Sequence, residues 1–228
     1  MNLFDYLLDP ANWGPGGTIT RLLGQHLFYT VAAVAIAAAI AIPVGILIGH
    51  TGRGSFLVIG LSNAARAIPS LGLLVLVVLL LGTGWGPIVG VLAVLGLPPI
   101  LTATAAGVQG ADHEAVHAAR ALGMTEGQIV GRVEWPLALP LVISGLRSGS
   151  LQVVATATVA ALAAGGGLGQ LLTSGQASQN YSQMFAGAVL VAVLAVLIDL
   201  VLGVLGWIAG RKTRPRAKTV PKKQLAPA

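Results

Sequence analysis

The chain of 228 residues is 55% hydrophobic and only 9% charged, with a mean hydropathy of +0.86 and a net charge of +6. Soluble domains carry roughly 25% charged residues, so this composition excludes a solvated globule. It points to one all-α integral membrane domain with room for about five spans of ~20 residues. Cysteine is absent, which excludes disulfides and thiolate metal sites.

Residues 1–21 carry Asp5 and Asp9 and no basic run ahead of an apolar core, unlike a secretory leader. Five apolar segments follow, at 27–49, 55–82, 85–108, 137–163 and 182–210. The second is interrupted by Asn63, Arg66 and Pro69, and is expected to be one kinked span, since neither half alone crosses ~30 Å of hydrocarbon. Two short pieces divided at Pro69 are the alternative, because the residue before a proline avoids helix. Glycines at four-residue spacing (Gly45/Gly49, Gly82/Gly86/Gly90 and Gly206/Gly210) fit backbones that approach closely in lipid.

Seven of the thirteen basic residues lie after Gly210: Arg211, Lys212, Arg214, Arg216, Lys218, Lys222 and Lys223. No aromatic residue is interleaved with them, so the tail at 211–228 reads as a cytoplasmic topology signal and not as a nucleic-acid arm. With five spans and the tail inside, the N-terminus is expected outside. Arg53, Arg120 and Arg132 then fall in cytoplasmic loops, the loops at 82–86 and 164–181 contain no Lys or Arg, and Arg21 alone lies on the other side.

Residues 110–136 form a polar island that holds four of the seven acidic residues, Asp112, Glu114, Glu126 and Glu134. Its local signals predict two short helices. Asp112 can cap the first, which runs to about Leu122, and Gly123 can end it in a left-handed turn. Thr125 and Gln128 have capping-box spacing for the second, which is expected to end before Pro136. Ala115, Ala119 and Leu122 share one face of the first helix, with Val116 beside them. Ile129, Val130 and Val133 form a stripe on the second. Such a pair suits either docking into a partner's groove or lying on the lipid surface.

The segment from His117 to Gly123 (His-Ala-Ala-Arg-Ala-Leu-Gly), followed by Val133-Glu134-Trp135-Pro136, resembles the cytoplasmic coupling loop of binding-protein-dependent ABC importer permeases. His117 stands where that family has glutamate, and Trp135 where it has leucine. Further segments resemble the osmoprotectant branch, whose permeases serve glycine betaine, carnitine and choline. They are 66–71, 97–101, 152–158 and 166–169. The resemblance covers roughly residues 20–205. It implies an importer transmembrane domain at 22–210, in which the loop docks onto an ABC ATPase subunit through Glu114, His117, Ala118, Ala119, Arg120, Leu122, Gly123 and Met124. It further implies an extracytoplasmic substrate-binding protein and a second permease copy or paralogue as partners, beside membrane lipid.

No P-loop sequence is present and all the lysines lie in the tail, so ATP chemistry is expected on another polypeptide. The chain offers no candidate catalytic, cofactor or metal residues. Trp13, Trp85, Trp135 and Trp207 fall near span ends, as interface anchors do. Arg66, Arg147 and Asp199 lie within apolar segments, where charge is costly and usually paired. Arg66 and Asp199 are each eleven residues from the inner end of their spans, at ~16 Å depth, and are expected to form an ion pair. Arg147 is expected to extend toward the headgroups. A self-contained secondary transporter or channel using Arg66 and Asp199 is the alternative function.

Overall fold

A computed structural model describes residues 3–54, 56, 58, 60, 67–164 and 166–213. The described residues contain no strand. Helix α1 (Asp5–Leu8) and a 3-10 turn precede α2 (Thr18–Thr51), α3 (Ser70–Leu81), α4 (Trp85–Gln109), α5 (His113–Ala121) and α6 (Glu126–Ile129). After them come α7 (Trp135–Ala164), α8 (Gly169–Ala177) and α9 (Tyr181–Thr213).

Four helical stretches among the described residues are long and apolar enough to cross a membrane: α2, α4, the run from Glu126 to Ala163, and α9. Helix α3 has 12 residues, about 18 Å of rise, and falls short. Pro69 precedes it in an extended conformation with ψ 110°, and Gly82 ends it at φ 84°. The expected kinked span over 55–82 is therefore broken at Pro69, which lacks an N–H and keeps the residue before it out of helix.

A Cβ placed at Gly45 would meet Thr104 Cβ at 2.7 Å, and one at Gly49 would meet the Ala105 carbonyl at 2.7 Å. Toward the other end, Gly96 faces Ala37. Residue numbers on α2 and α4 rise together, so the two helices run parallel. Helix α7 runs antiparallel to α4, with Gly107 against Ala138 and Gly149 against Ile100. Helix α9 runs antiparallel to α7, with Gly203 against Arg147 and Gly206 against Ile143.

Why α2 packs so closely is visible in its sequence. Ala33, Ala37 and Ala41 are fully buried, and Gly45 and Gly49 continue the same four-residue row. That row lets the backbones of α2 and α4 approach. The opposite face, with Val31, Ile36, Ile40 and Leu47 exposed, is as apolar as lipid requires. The expected packing role of the other glycine rows is only partly realised. A side-chain carbon added at Gly86 or Gly90 would meet nothing within 4 Å, and Gly82 is a helix terminator.

Candidate functional site

The polar island folds as a hairpin of α5 and α6 at the end of the bundle where α2 and α4 finish. Asp112 Oδ1 accepts the Glu114 N–H at 2.9 Å and caps α5. Gly123 turns the chain at φ 81°, a left-handed conformation that strains any side chain. Thr125 and Gln128 form a reciprocal capping box at the start of α6. Ala111, Val116, Ala119 and Ile129 are buried together, with Met124, Val133 and Leu137 packed against them.

That core decides which residues face outward. Glu114, His117, Ala118, Arg120, Leu122 and Gly123 are exposed, and Met124 is half-buried. Ala119 is only 5% exposed, so it fills the hairpin's own interior and is not on the presented face. Leu122, expected to share a face with Ala115 and Ala119, is 84% exposed at the apex while Ala119 is buried. The helix ends one residue before it, and the left-handed turn at Gly123 carries the chain away.

The second helix does not end before Pro136. At Val130–Glu134 the helix widens to a π turn, in which the Trp135 N–H donates to the Val130 carbonyl, and continues into α7. Pro136 has no N–H to give, and a widened turn is a usual way for a helix to pass such a point. The run from Glu126 to Ala163 has 38 residues, about 57 Å, against ~30 Å of hydrocarbon. It is therefore much longer than a single crossing requires.

Polar contacts join this hairpin to the bundle. Arg120 grips Glu126 with two hydrogen bonds, Nε to Oε1 and Nη2 to Oε2, each 3.0 Å. The guanidinium holds the Glu126 carboxyl below the usual carboxylate range, chiefly through these bonds. His50, in the last turn of α2, reaches the second limb at two points: Nδ1 lies 2.8 Å from Glu134 Oε2 and Nε2 lies 3.3 Å from Glu126 Oε2. The Glu134 side chain is 6% exposed. Sequence reading did not single out His50. Its position as a titratable side chain at the end of an apolar span was the available signal.

Between α7 and α9, on a partly exposed seam, Arg147 donates to Asp199 from Nε at 2.9 Å and from Nη2 at 2.6 Å. Asp199 thus has Arg147 as its partner, and Arg147 does not extend away to the headgroups. Arg66, to which the sequence assigned Asp199, lies outside the described residues. Depth alone could not choose between the two arginines, because the depth of Arg147 depends on the helix continuing through Pro136.

At the opposite end the glycine run is structural. The Gly167 N–H donates to Gln25 Oε1 and the Leu168 N–H to His26 Nδ1, each at 3.2 Å. Gly166 and Gly167 adopt φ 101° and 64°, and a side chain at Gly169 would overlap the Thr158 carbonyl. The stretch expected as a loop at 164–181 also contains α8, which packs on α9 where Gly187 meets Leu171.

Residues 41–214 match the family of binding-protein-dependent transport system inner membrane components. The chain is 32% identical over 201 residues to the glycine betaine/carnitine/choline transport system permease protein of Bacillus subtilis, covering 88% of this chain and 91% of that one. It is likewise 32% identical to the osmoprotectant import permease protein of Salmonella typhimurium, over 89% and 94% of the two chains. Among solved structures, an inward-facing methionine ABC transporter superposes with a TM-score of 0.76 at 24% identity. That match covers 88% of this chain and 98% of that one, and the likeness is one of fold.

Proposed function

The chain belongs to the binding-protein-dependent transport system inner membrane components, and from that membership we propose that it forms half of the passage of an ATP-driven importer for quaternary-amine osmoprotectants. It is a transmembrane permease subunit, and membership of this family displaces a self-contained secondary transporter. The substrate class rests on similarity to the permeases of Bacillus subtilis and Salmonella typhimurium. The remaining partners are an ABC ATPase, an extracytoplasmic binding protein and a second permease copy or paralogue.

The observation that carries the reading is the hairpin. It buries its own apolar core and leaves Leu122 84% exposed at the apex. This exposed leucine, on a hairpin that also exposes Glu114, His117, Ala118, Arg120 and Gly123 and half-exposes Met124, offers a surface for an ATPase groove. Ala119 supports that surface from inside. On this reading the hairpin and the tail at 211–228 are cytoplasmic, residues 1–21 lie outside and 22–210 form the transport domain. ATP-driven movement of the hairpin tilts the spans and switches access from one side to the other.

The test is reconstitution of the permease with its ATPase and binding protein in vesicles. ATP-dependent uptake of radiolabelled choline or glycine betaine is expected, and it should require all the components. Uptake without ATP, or a permease that never associates with an ATPase, would overturn the reading.

A further inference from the structure

The hairpin is covalently continuous with α4, through Gly110–Asp112, and with α7, through the π turn. It has no such link to α2, the long first span. Helix α2 ends at Gly52 in a left-handed turn, and the chain then leaves toward α3. Beside the hairpin lies an open cavity of about 290 Å³, lined by His50, Gln109, His113, Arg120 and Glu134 among others. Close apolar packing therefore does not join α2 to the hairpin at that point.

We propose that His50 is the positioning residue that makes α2 follow the hairpin, through its hydrogen bond to Glu134 and its 3.3 Å contact with Glu126. The inference rests on the importer reading above. One ring nitrogen engages the π turn and the other engages the first turn of α6. Two attachments on a planar ring fix its orientation as well as its distance. Glu126 is itself held by both Arg120 bonds, so α5 is included in the same tie. Glu134 is the firmer anchor. It is buried, its contact is the shorter, and removing its partner would leave a carboxylate with little access to water. The hairpin thereby reaches α2, α4 and α7, the three helices that pack along the centre of the bundle.

The test uses the reconstituted complex of permease, ATPase and binding protein, measuring choline uptake and ATP hydrolysis together. His50→Ala is expected to leave the complex assembled and hydrolysing ATP, while uptake per ATP falls about tenfold, within the usual range of a coupling free energy. His50→Asn, whose amide stands near the Nδ1 position, is expected to recover most of that loss. Glu134→Gln provides an independent variant should His50→Ala fail to assemble, and it should show the same fall in uptake per ATP. Uptake per ATP within about twofold of wild type in both His50→Ala and Glu134→Gln would overturn the proposal. So would a parallel loss of uptake and hydrolysis that His50→Asn does not relieve. Absence of ATP-dependent uptake in the wild-type complex would instead overturn the importer reading, and this inference with it.

Discussion

Arg147 and Asp199, 52 residues apart in sequence, meet as a two-bond ion pair at the partly exposed seam that joins α7 to α9. The fork of a guanidinium matches both oxygens of a carboxylate, and each charge spares the other an uncompensated place in hydrocarbon. Replacing either one alone, as in Arg147→Ala or Asp199→Asn, is expected to lower the amount of folded protein in the membrane several-fold. The reversed pair, Arg147→Asp with Asp199→Arg, should recover part of it. Membrane levels by immunoblot, with melting of the solubilised protein, check this. Full levels in both single variants would remove the pair's structural role.

Leu122 provides a different kind of test, because it touches little of its own chain. Leu122→Glu should leave the melting temperature of the permease nearly unchanged, as exposed substitutions usually cost within ~0.5 kcal/mol. Affinity for the ATPase should fall about tenfold or more, as expected for an apolar anchor at the centre of an interface. Equal binding by the two proteins would show that the apex is not the contact.

Gly49 and Gly90 look alike in sequence but differ in surroundings. A side-chain carbon at Gly49 would press on the Ala105 carbonyl and Val108 Cβ at 2.7 Å, whereas Gly90 has nothing within 4 Å. Gly49→Val should destabilise the protein by about 1–3 kcal/mol through overpacking against α4. Gly90→Ala should be neutral or should stabilise by up to ~1 kcal/mol, the usual preference for alanine in a helix. Thermal unfolding in detergent distinguishes them.

The Arg120–Glu126 bond gives the hairpin an acid limit. Arg120 lowers the Glu126 carboxyl below its ordinary range, so the contribution of this bond is complete at neutral pH. It is lost as pH falls through the depressed folded-state value, below the ordinary carboxylate range of about 4.3. Amide exchange over 113–129 should show protection that is flat through the neutral range and weakens only at more acid pH. Glu126→Gln should abolish that acid step. An acid step of the same size in Glu126→Gln would assign it to another group.

What the sequence revealed was local. Asp112, Gly123, Thr125 and Gln128 act on backbone groups within a few residues, so the hairpin's caps could be read from spacing alone. The four-residue spacing of Gly45 and Gly49 on α2 was similarly legible, though the buried alanines that extend it were not. The contacts of His50 with Glu134 and of Arg147 with Asp199 were not, because they depend on which helix faces which across 84 and 52 residues. Helix α8 was missed because its composition, Gly-Gln-Leu-Leu-Thr-Ser-Gly-Gln-Ala, is that of a loop. Packing of Leu171 against Ile19 and Leu190, not propensity, explains its helix. Pro136 misled because the π turn is a backbone remedy with no side-chain signature.

The π turn at Val130–Glu134 also sets an angular phase. It accommodates one residue more than the α-helical turn it replaces, and one residue corresponds to about 100° of rotation. Everything downstream is turned by that amount relative to an uninterrupted helix starting at Glu126. Burial of Ile129 upstream and alignment of Arg147 on Asp199 downstream therefore belong to two different helical registers, reconciled by a single inserted residue. Excising one residue from 130–134 would force the helix to satisfy one end of the molecule or the other.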